Sequence, residues 1–129
     1  MDDAALSESM PQLDSRVVPP GQNRIELSFP NFRVRSPLSG HPDEGSIQIK
    51  YQAGISIIDQ ESLEAYLAAF RDVTAYAEDV VNRIFLHLNQ LANPEWLEVV
   101  GKFSSDGDID LTIKVSSDDN GSPVPGIGS

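Results

Sequence analysis

The sequence predicts an α+β domain, in which a four-stranded antiparallel sheet carries two helices on one face. Two observations predict this class. Apolar residues alternate with polar ones over residues 25–29, again from residue 47 and over residues 109–115, as they do along half-buried strands. Between the last two of these segments, the apolar residues recur every three to four positions, as on amphipathic helices. The predicted order of elements is therefore strand, strand, helix, helix, strand, strand.

The first predicted strand leads into a loop that is rich in turn-forming residues. Apolar and polar side chains alternate over residues 25–29, and Pro30 is expected to bend the chain before a second extended piece at residues 32–34. Residues 36–45 then read SPLSGHPDEG, in which proline, glycine, serine and aspartate favour turns. Because this loop also contains a histidine and two carboxylates, it is a candidate for a functional site.

The second strand and the first helix follow directly. Alternation begins at Ile47 and is expected to continue past Gly54, where glycine suggests a bulge, as far as Ile58. Asp59 then precedes an acidic first turn, which is a signal for the start of a helix. The apolar stripe of this helix has the spacing i, i+3, i+4, i+7 and consists of Leu63, Tyr66, Leu67 and Phe70.

A second helix and a hairpin complete the predicted domain. The helix is expected from about residue 75 to residue 91, and it ends at Asn93-Pro94 because proline disfavours a helical residue before it. Residues 96–103 are apolar and β-branched and predict the third strand, and the SSDGD that begins after them predicts a turn. Strict alternation over residues 109–115 predicts the fourth strand.

The two ends of the chain lack sustained periodicity. Residues 1–22 mix acidic residues with serine and a PPG, and residues 116–129 are rich in serine, glycine, proline and aspartate. We therefore expect a flexible N-terminal arm, a folded domain over residues 23–115 and a disordered C-terminal tail. A four-stranded sheet has two open edges, so we expect several subunits to close their sheets into a homo-oligomeric barrel, with pockets between subunits.

Composition limits the classes of function. The 129 residues include 20 acidic and 9 basic ones, which give a formal charge of −11, and such a field repels nucleic acid and anionic membranes. There are no cysteines and only two histidines, so neither disulfides nor a metal site are expected. No apolar run reaches the roughly 20 residues of a membrane span. Because the N-terminus is acidic, unlike a signal peptide, a cytoplasmic protein is expected.

Several stretches resemble the nitrile reductases of queuosine biosynthesis, the QueF family, whose members have the tunnelling (T-fold) architecture. They are IELSFPNF (25–32), SGHPD (39–43), YLAAFRD (66–72), EDVVNRI (78–84) and WLEVVGKF (96–103). The resemblance implies a T-fold ββααββ unit that assembles into an oligomeric barrel. In that family a cysteine attacks the nitrile of cyano-deazaguanine, NADPH reduces the resulting thioimide twice, and an aspartate acts as proton donor.

This chain departs from the family pattern at the nucleophile. Ser36 stands at the position that resembles the cysteine, whereas the aspartate of the family corresponds to Asp43 in SGHPD. A serine hydroxyl needs a neighbouring base before it can attack. A triad of Ser36, His41 and Asp43 is hard to build within one short loop. We therefore expect Ser36 to be a loop hydroxyl that is satisfied by hydrogen bonds and contacts the substrate.

The cofactor signature is changed as well. The family carries a run that resembles E-S-K-S-x-K-x-Y at the first helix, where lysines meet NADPH phosphates, and here residues 59–66 read DQESLEAY. Glu61 and Glu64 stand in place of the lysines and would repel phosphate, or they are first-turn residues that the helix dipole favours. Both interpretations predict that neither NADPH nor another cofactor is used. Ser62, which the run retains, is a candidate substrate-binding residue.

The purine anchor of the family is retained in part. Across T-fold enzymes a glutamate binds the ring nitrogens of a purine or pterin. The His-Glu of the family corresponds here to Ala77-Glu78. Without the resemblance, Glu78 would be interpreted as an ordinary exposed helical residue. Arg71 is a candidate to bind a ligand anion or to form a structural pair with Asp72 and Glu78, and we expect the structural pair. His87 lies beside the apolar stripe of the second helix and is expected to be structural.

Three hypotheses for function follow. The first is a cofactor-independent enzyme in which Asp43, Glu78 and His41 promote cyclisation, dehydration or tautomerisation of a carbonyl-rich metabolite, for example in specialised natural-product biosynthesis. The second is a non-catalytic pseudo-enzyme that binds a purine or deazapurine through Glu78. The third is an assembly partner in which only the oligomer matters. Because the SGHPD loop is retained, the sequence favours a small-molecule pocket over the third hypothesis.

Overall fold

The computed structural model describes residues 11–17, 24–104 and 109–117, and this part contains six strands and two α-helices. The strands are β1 (Ser15–Val17), β2 (Arg24–Arg35), β3 (Pro42–Gln52), β4 (Ser56–Ile58), β5 (Trp96–Ser104) and β6 (Asp110–Ser116). The helices are α1 (Gln60–Ala68), which is followed by a short 3-10 helix (Ala69–Asp72), and α2 (Ala77–Ala92). The predicted α+β class and the order of its main elements are confirmed, and two short strands, β1 and β4, are added.

The main sheet has the strand order β2-β3-β5-β6, and all neighbouring pairs are antiparallel. Residues that lie opposite one another across the strands share a face of the sheet. The row formed by Phe29, Ile47, Gly101 and Ile113 belongs to the face that contributes to the core. Both helices add their apolar stripes to this same core, so they cover one face of the sheet, as the alternating pattern predicted.

β2 bends at the position that the sequence indicated. Its register with β3 shifts between Phe29 and Phe32, because a proline has no N–H to donate to the ladder at this point. Beyond the shift, Phe32 and Val34 are completely buried, whereas the apolar side chains before it are half-buried. The bend therefore separates the exposed edge of the sheet from the part of β2 that leads into the site.

The predicted continuation of the second strand as far as Ile58 is wrong. β3 ends at Gln52, and the chain then turns away from the main sheet. The apolar residues that follow form the separate strand β4, which pairs antiparallel with β1. The alternating pattern was correct, but it could not show that the partner strand changes after the turn.

Part of the predicted flexible arm, residues 1–22, belongs to the folded unit. Ser15–Val17 form β1 against β4, and Leu13 packs against the core. Without β1, β4 would expose an unpaired row of backbone N–H and C=O groups. Hydrogen bonds to these groups order the short β1 segment. Residues 1–10, 18–23, 105–108 and 118–129 lie outside the described residues, and with them lie most of the predicted hairpin turn and the predicted tail.

The ends of both helices follow the predicted signals. Asp59 begins α1, and its carboxylate accepts a hydrogen bond from the Ser62 amide at 2.9 Å. α2 starts at Ala77, slightly later than expected, and ends at Asn93, which is in the left-handed conformation with φ 45°. All members of the predicted α1 stripe are buried. Within the described residues, neither helix is both long enough and apolar enough to cross a membrane.

His87 has the structural role that was expected. Its Nδ1 atom shares a hydrogen bond with the hydroxyl group of Tyr66, and the two rings are also in contact. Tyr66 is 2% exposed, and burial raises the pKa of its phenol above the ordinary value of 10.0. This pair joins α1 to α2 at a distance from the loop that carries the candidate catalytic residues.

Candidate functional site

A cleft of about 370 Å³ lies where the β2–β3 loop, the start of α2 and the β5–β6 hairpin meet. Four predicted site residues line it: Ser36, His41, Asp43 and Glu78. The remaining lining is mainly apolar and consists of Leu38, Ser39, Pro42, Tyr76, Ala77, Phe103, Ile109 and Leu111. The fold therefore places a hydroxyl, an imidazole and two carboxylates against an apolar wall.

The loop that joins β2 to β3 is closed by its own hydrogen bonds. The Ser36 amide donates to the His41 carbonyl at 2.9 Å, and the Gly40 amide donates to the Ser36 carbonyl, also at 2.9 Å. The His41 amide donates to Ser39 Oγ at 3.1 Å. Gly40 has a φ of +76°, a conformation that glycine adopts without strain. The main chain on both sides of His41 is thereby held in one geometry.

The hydroxyl of Ser36 is occupied as an acceptor. Its Oγ accepts hydrogen bonds from the amides of Leu38 at 3.2 Å and Ser39 at 3.4 Å. These bonds use the two lone pairs that a nucleophilic attack would need. Within the described residues, the hydroxyl donates to no acceptor, so its proton is available to a bound molecule. The Ser36 hydroxyl is therefore held by its own loop on the acceptor side, and it forms no side-chain hydrogen bond with His41, as a triad would require. Its contact with a substrate stays a prediction.

The two carboxylates reach the cleft from different elements. Asp43 lies opposite the buried Val34, so its side chain is on the core face at the end of the sheet, where it is half-buried. Glu78 is the second residue of α2 and is exposed, and the positive end of the helix dipole stabilises its charge. In the part of the chain that the structure describes, neither carboxylate forms an ion pair or accepts a hydrogen bond.

The segment before α2 is attached to the end of β2. The Arg35 amide donates to the Val73 carbonyl at 2.9 Å, and the Ala75 amide donates to the Arg35 carbonyl at 3.1 Å. These bonds form a parallel bridge that places Tyr76 and Glu78 beside the loop. Sequence reasoning did not find Arg35, because the contact joins two segments that share no local pattern.

Ser62 and Arg71 lie outside this cleft. Ser62 Oγ donates to the Asp59 carbonyl and accepts from the Asp14 amide, both at 3.0 Å, and so holds the segment before β1 against α1. Arg71 is exposed on the 3-10 helix, and it forms no ion pair with any described residue, contrary to the structural pair that was expected. Their substrate-binding roles remain predictions, because a pocket between subunits would also contain residues of a second chain.

The residues around the cleft do not fit the phosphates of NADPH. Phosphate is held by arginine, lysine and N–H groups at helix N-termini, but the lining of the cleft contains two carboxylates and neither lysine nor arginine. On α1, Glu61 and Glu64 are exposed, and the groove between α1 and β2 is lined by Glu64 and by no basic residue. Among the described residues, no three potential ligands are close enough together to hold a metal ion.

Comparisons with known proteins relate the chain to a family. A family model described as QueF-like protein matches residues 42–122. The NADPH-dependent 7-cyano-7-deazaguanine reductase of Aquifex aeolicus (strain VF5) is 38% identical over 96 residues, which cover 74% of each chain. The protein of the same name from Prochlorococcus marinus (strain MIT 9312) is 32% identical over 93 residues, which cover 72% of this chain and 68% of that protein.

A solved structure shares the fold. The crystal structure of the archaeosine synthase QueF-Like in the apo form matches 77% of this chain and 95% of its own chain, with a TM-score of 0.65. At 14% sequence identity, this likeness shows a common T-fold architecture and nothing about activity. The family model and the two reductases establish that the chain belongs to the QueF-like family.

Proposed function

We propose that this QueF-like protein is a cofactor-independent acid–base enzyme that acts on a small carbonyl-rich metabolite. The main observation in support is that Asp43, Glu78 and His41 line one cleft beside an apolar wall. Cyclisation, dehydration and tautomerisation all require that a proton leaves carbon and that a proton reaches or leaves oxygen. A cleft with two carboxylates and an imidazole can supply both steps without a redox partner.

The position of each group suggests its role. Asp43, half-buried at the end of the sheet, removes a proton from a carbon next to a carbonyl. Ser36 donates its free proton as a hydrogen bond to that carbonyl oxygen, and His41 delivers the proton that the enolate takes up. Glu78 binds N–H or O–H groups of the substrate. Because the two carboxylates repel anions, the substrate is neutral and offers hydrogen-bond donors.

The cleft of one chain is open on its apolar side. Four large apolar residues around it are exposed, namely Leu38 (82%), Ile109 (75%), Tyr76 (47%) and Leu111 (37%). β2 and β6, the two edge strands, have no further partner within the described residues. We propose that a homo-oligomer covers both features, so that the substrate is bound in a pocket between subunits.

A reductase activity like that named for the relatives is not favoured by these residues. The relatives are NADPH-dependent reductases by name, but here the position that resembles their nucleophile carries Ser36. Two amides already bond to its oxygen. Neither lysine nor arginine lines the cleft, which also disfavours a dinucleotide phosphate there. Oxidation of NADPH in the presence of cyano-deazaguanine would contradict the proposal.

Deuterium exchange tests the proposed chemistry directly. The purified chain is incubated with diketones in heavy water, and deuterium incorporation next to the carbonyl is followed by NMR. We expect catalysed exchange that falls by about a hundredfold or more in Asp43→Asn, because the general base is lost. Asp79→Asn is the matched control, since Asp79 is exposed on the same helical turn as Glu78 but does not line the cleft. Equal rates in both variants would rule out Asp43 as the base.

The binding of a purine or deazapurine without chemistry is the second candidate. It is favoured because the exposed residues Glu78 and Tyr76 line the same cleft, and a carboxylate and an aromatic ring together suit a flat heterocycle with N–H groups. Calorimetric titration with cyano-deazaguanine, guanine and a pterin tests it, with Glu78→Gln as the variant. Micromolar binding that is lost in Glu78→Gln, together with no deuterium exchange on any diketone, would establish the pseudo-enzyme instead.

A further inference from the structure

Arg35 connects the two elements that carry the ionisable groups of the cleft. It is the last residue of β2, and its guanidinium Nη1 donates to the Gly40 carbonyl at 3.1 Å. Gly40 is the left-handed residue of the loop and directly precedes His41. The side chain of Arg35 therefore fastens the far end of the loop to the strand from which the loop begins.

The main chain of the same residue holds the other wall of the cleft. Both of its backbone groups bond to the segment that runs from Val73 to Ala75. That segment continues into Tyr76 and Glu78 without an intervening turn. Any displacement of the Gly40 carbonyl relative to the end of β2 thus changes the separation between His41 and Glu78.

Arg33 shows that this contact is particular to one arginine. It lies two residues earlier on β2, so its side chain leaves the strand on the same side. Its guanidinium pairs with Glu44 at 3.5 Å, and both side chains are more than half exposed. Arg33 does not line the cleft and bonds to no part of the 36–41 loop within the described residues. It is therefore a matched control for the loss of a charge from β2.

We propose that Arg35 is the positioning residue of this site, which sets the 36–41 loop with His41, next to Asp43 at the start of β3, against the start of α2 with Glu78. A guanidinium is suited to this task because its planar donors hold a carbonyl in a defined direction, which a flexible ammonium does less well. The effect of Arg35 on turnover rests on the proposed function. Its effect on the order of the loop does not.

Hydrogen–deuterium exchange of the full chain, read by mass spectrometry, measures the order of the loop. Two amides report on its closure, those of Ser36 and Gly40, because each bonds within the loop. In Arg35→Met we expect them to exchange about threefold to tenfold faster, the factor that corresponds to the loss of one hydrogen bond of ordinary strength. Arg35→Lys restores part of the protection, and Arg33→Met leaves these amides unchanged.

Two outcomes would overturn the proposal. One is equal exchange at these amides in Arg35→Met and Arg33→Met. The other is a rise in exchange at the buried strands that exceeds the rise at these two amides, which would mean a general loss of stability rather than a local release of the loop.

Turnover of the diketone adds a second readout. If the proposed enzyme is active, Arg35→Met lowers kcat and raises KM, and Arg35→Lys recovers part of kcat. The thermal midpoint of each variant falls by no more than about 6 °C, the shift that the loss of one hydrogen bond produces. If the native chain processes none of the substrates, the proposed function fails, but the exchange experiment still decides the role of Arg35. The two failures are therefore distinguishable.

Discussion

The replacement of Gly40 by alanine tests whether the backbone of the 36–41 loop sets the geometry of the site. Gly40 has a φ of +76°, and a Cβ atom built there would meet no other atom within 4 Å. Because the space is open, steric contact contributes nothing to the cost of the substitution. The cost is that of an L-residue in the left-handed region, which is about 1–2 kcal/mol.

Urea denaturation followed by the fluorescence of Trp96, the single tryptophan, measures this cost. With a slope of about 2 kcal/mol per molar urea, in the middle of the usual range, the midpoint is expected to fall by about 0.5–1 M. The slope itself should stay constant, since the substitution changes neither the core nor the surface exposed on unfolding. Protein concentration is kept fixed, because the stability of an oligomer depends on it.

Gly54→Ala is the matched control for this experiment. Its added Cβ would lie 3.4 Å from the Asn93 carbonyl oxygen, and its φ is outside the left-handed range, so the change in stability should be within about 0.5 kcal/mol. If Gly40→Ala loses no more stability than Gly54→Ala, the loop does not depend on its left-handed residue. Gly40 would then not be the residue that holds His41 in place.

Three further predictions concern the frame that supports the site. Gly45→Ala should not yield a folded protein, as judged by circular dichroism and solubility, because its Cβ would lie 1.8 Å from a carbonyl oxygen of β5. Asp59→Ala should lower the free energy of unfolding by about 1 kcal/mol in urea, because α1 loses its N-cap. The third prediction concerns pH. Because burial raises the pKa of Tyr66, the folded state prefers the neutral phenol, so this contribution to stability is complete below pH 10.0 and is lost as the pH rises further. Urea midpoints measured from pH 8 to 11 should therefore fall above pH 10 in the native chain and fall less in Tyr66→Phe. Tyr76→Phe, at an exposed position, is the control and should behave like the native chain. Parallel curves for all three proteins would contradict the assignment to Tyr66.

Elements whose signals are local were predictable from the sequence. The cap at Asp59 and the left-handed end of α2 at Asn93 depend on residues within one helical turn, so their side-chain chemistry is sufficient to locate them. The apolar stripe of α1 and the alternation along β2 likewise follow from the period of each element. Pro30 marked the bend of β2 because proline cannot donate to a strand ladder.

Contacts between distant segments were not predictable in this way. Nothing in the short SRV segment indicates that it pairs with β4, because the pairing joins residues about forty positions apart and uses only backbone groups. The same limit applies to Arg35, whose bonds to Val73 and Ala75 also involve only the main chain. The predicted ion pair of Arg71 failed for a related reason, since proximity along a chain does not fix the direction of an exposed side chain.

The amino-acid sequence alone was sufficient to determine the α+β class, the faces of the helices and strands, and a resemblance that nominated Ser36, His41, Asp43 and Glu78. These follow from spacing and residue type, which act over a few positions. Only the tertiary structure decided that these four side chains line one cleft while Ser62 and Arg71 lie elsewhere, and that two amides occupy the oxygen of Ser36. Strand pairing and the packing of α2 against the sheet bring residues together that are distant in the sequence. The spacing of residue types along the chain does not show which distant segments come into contact.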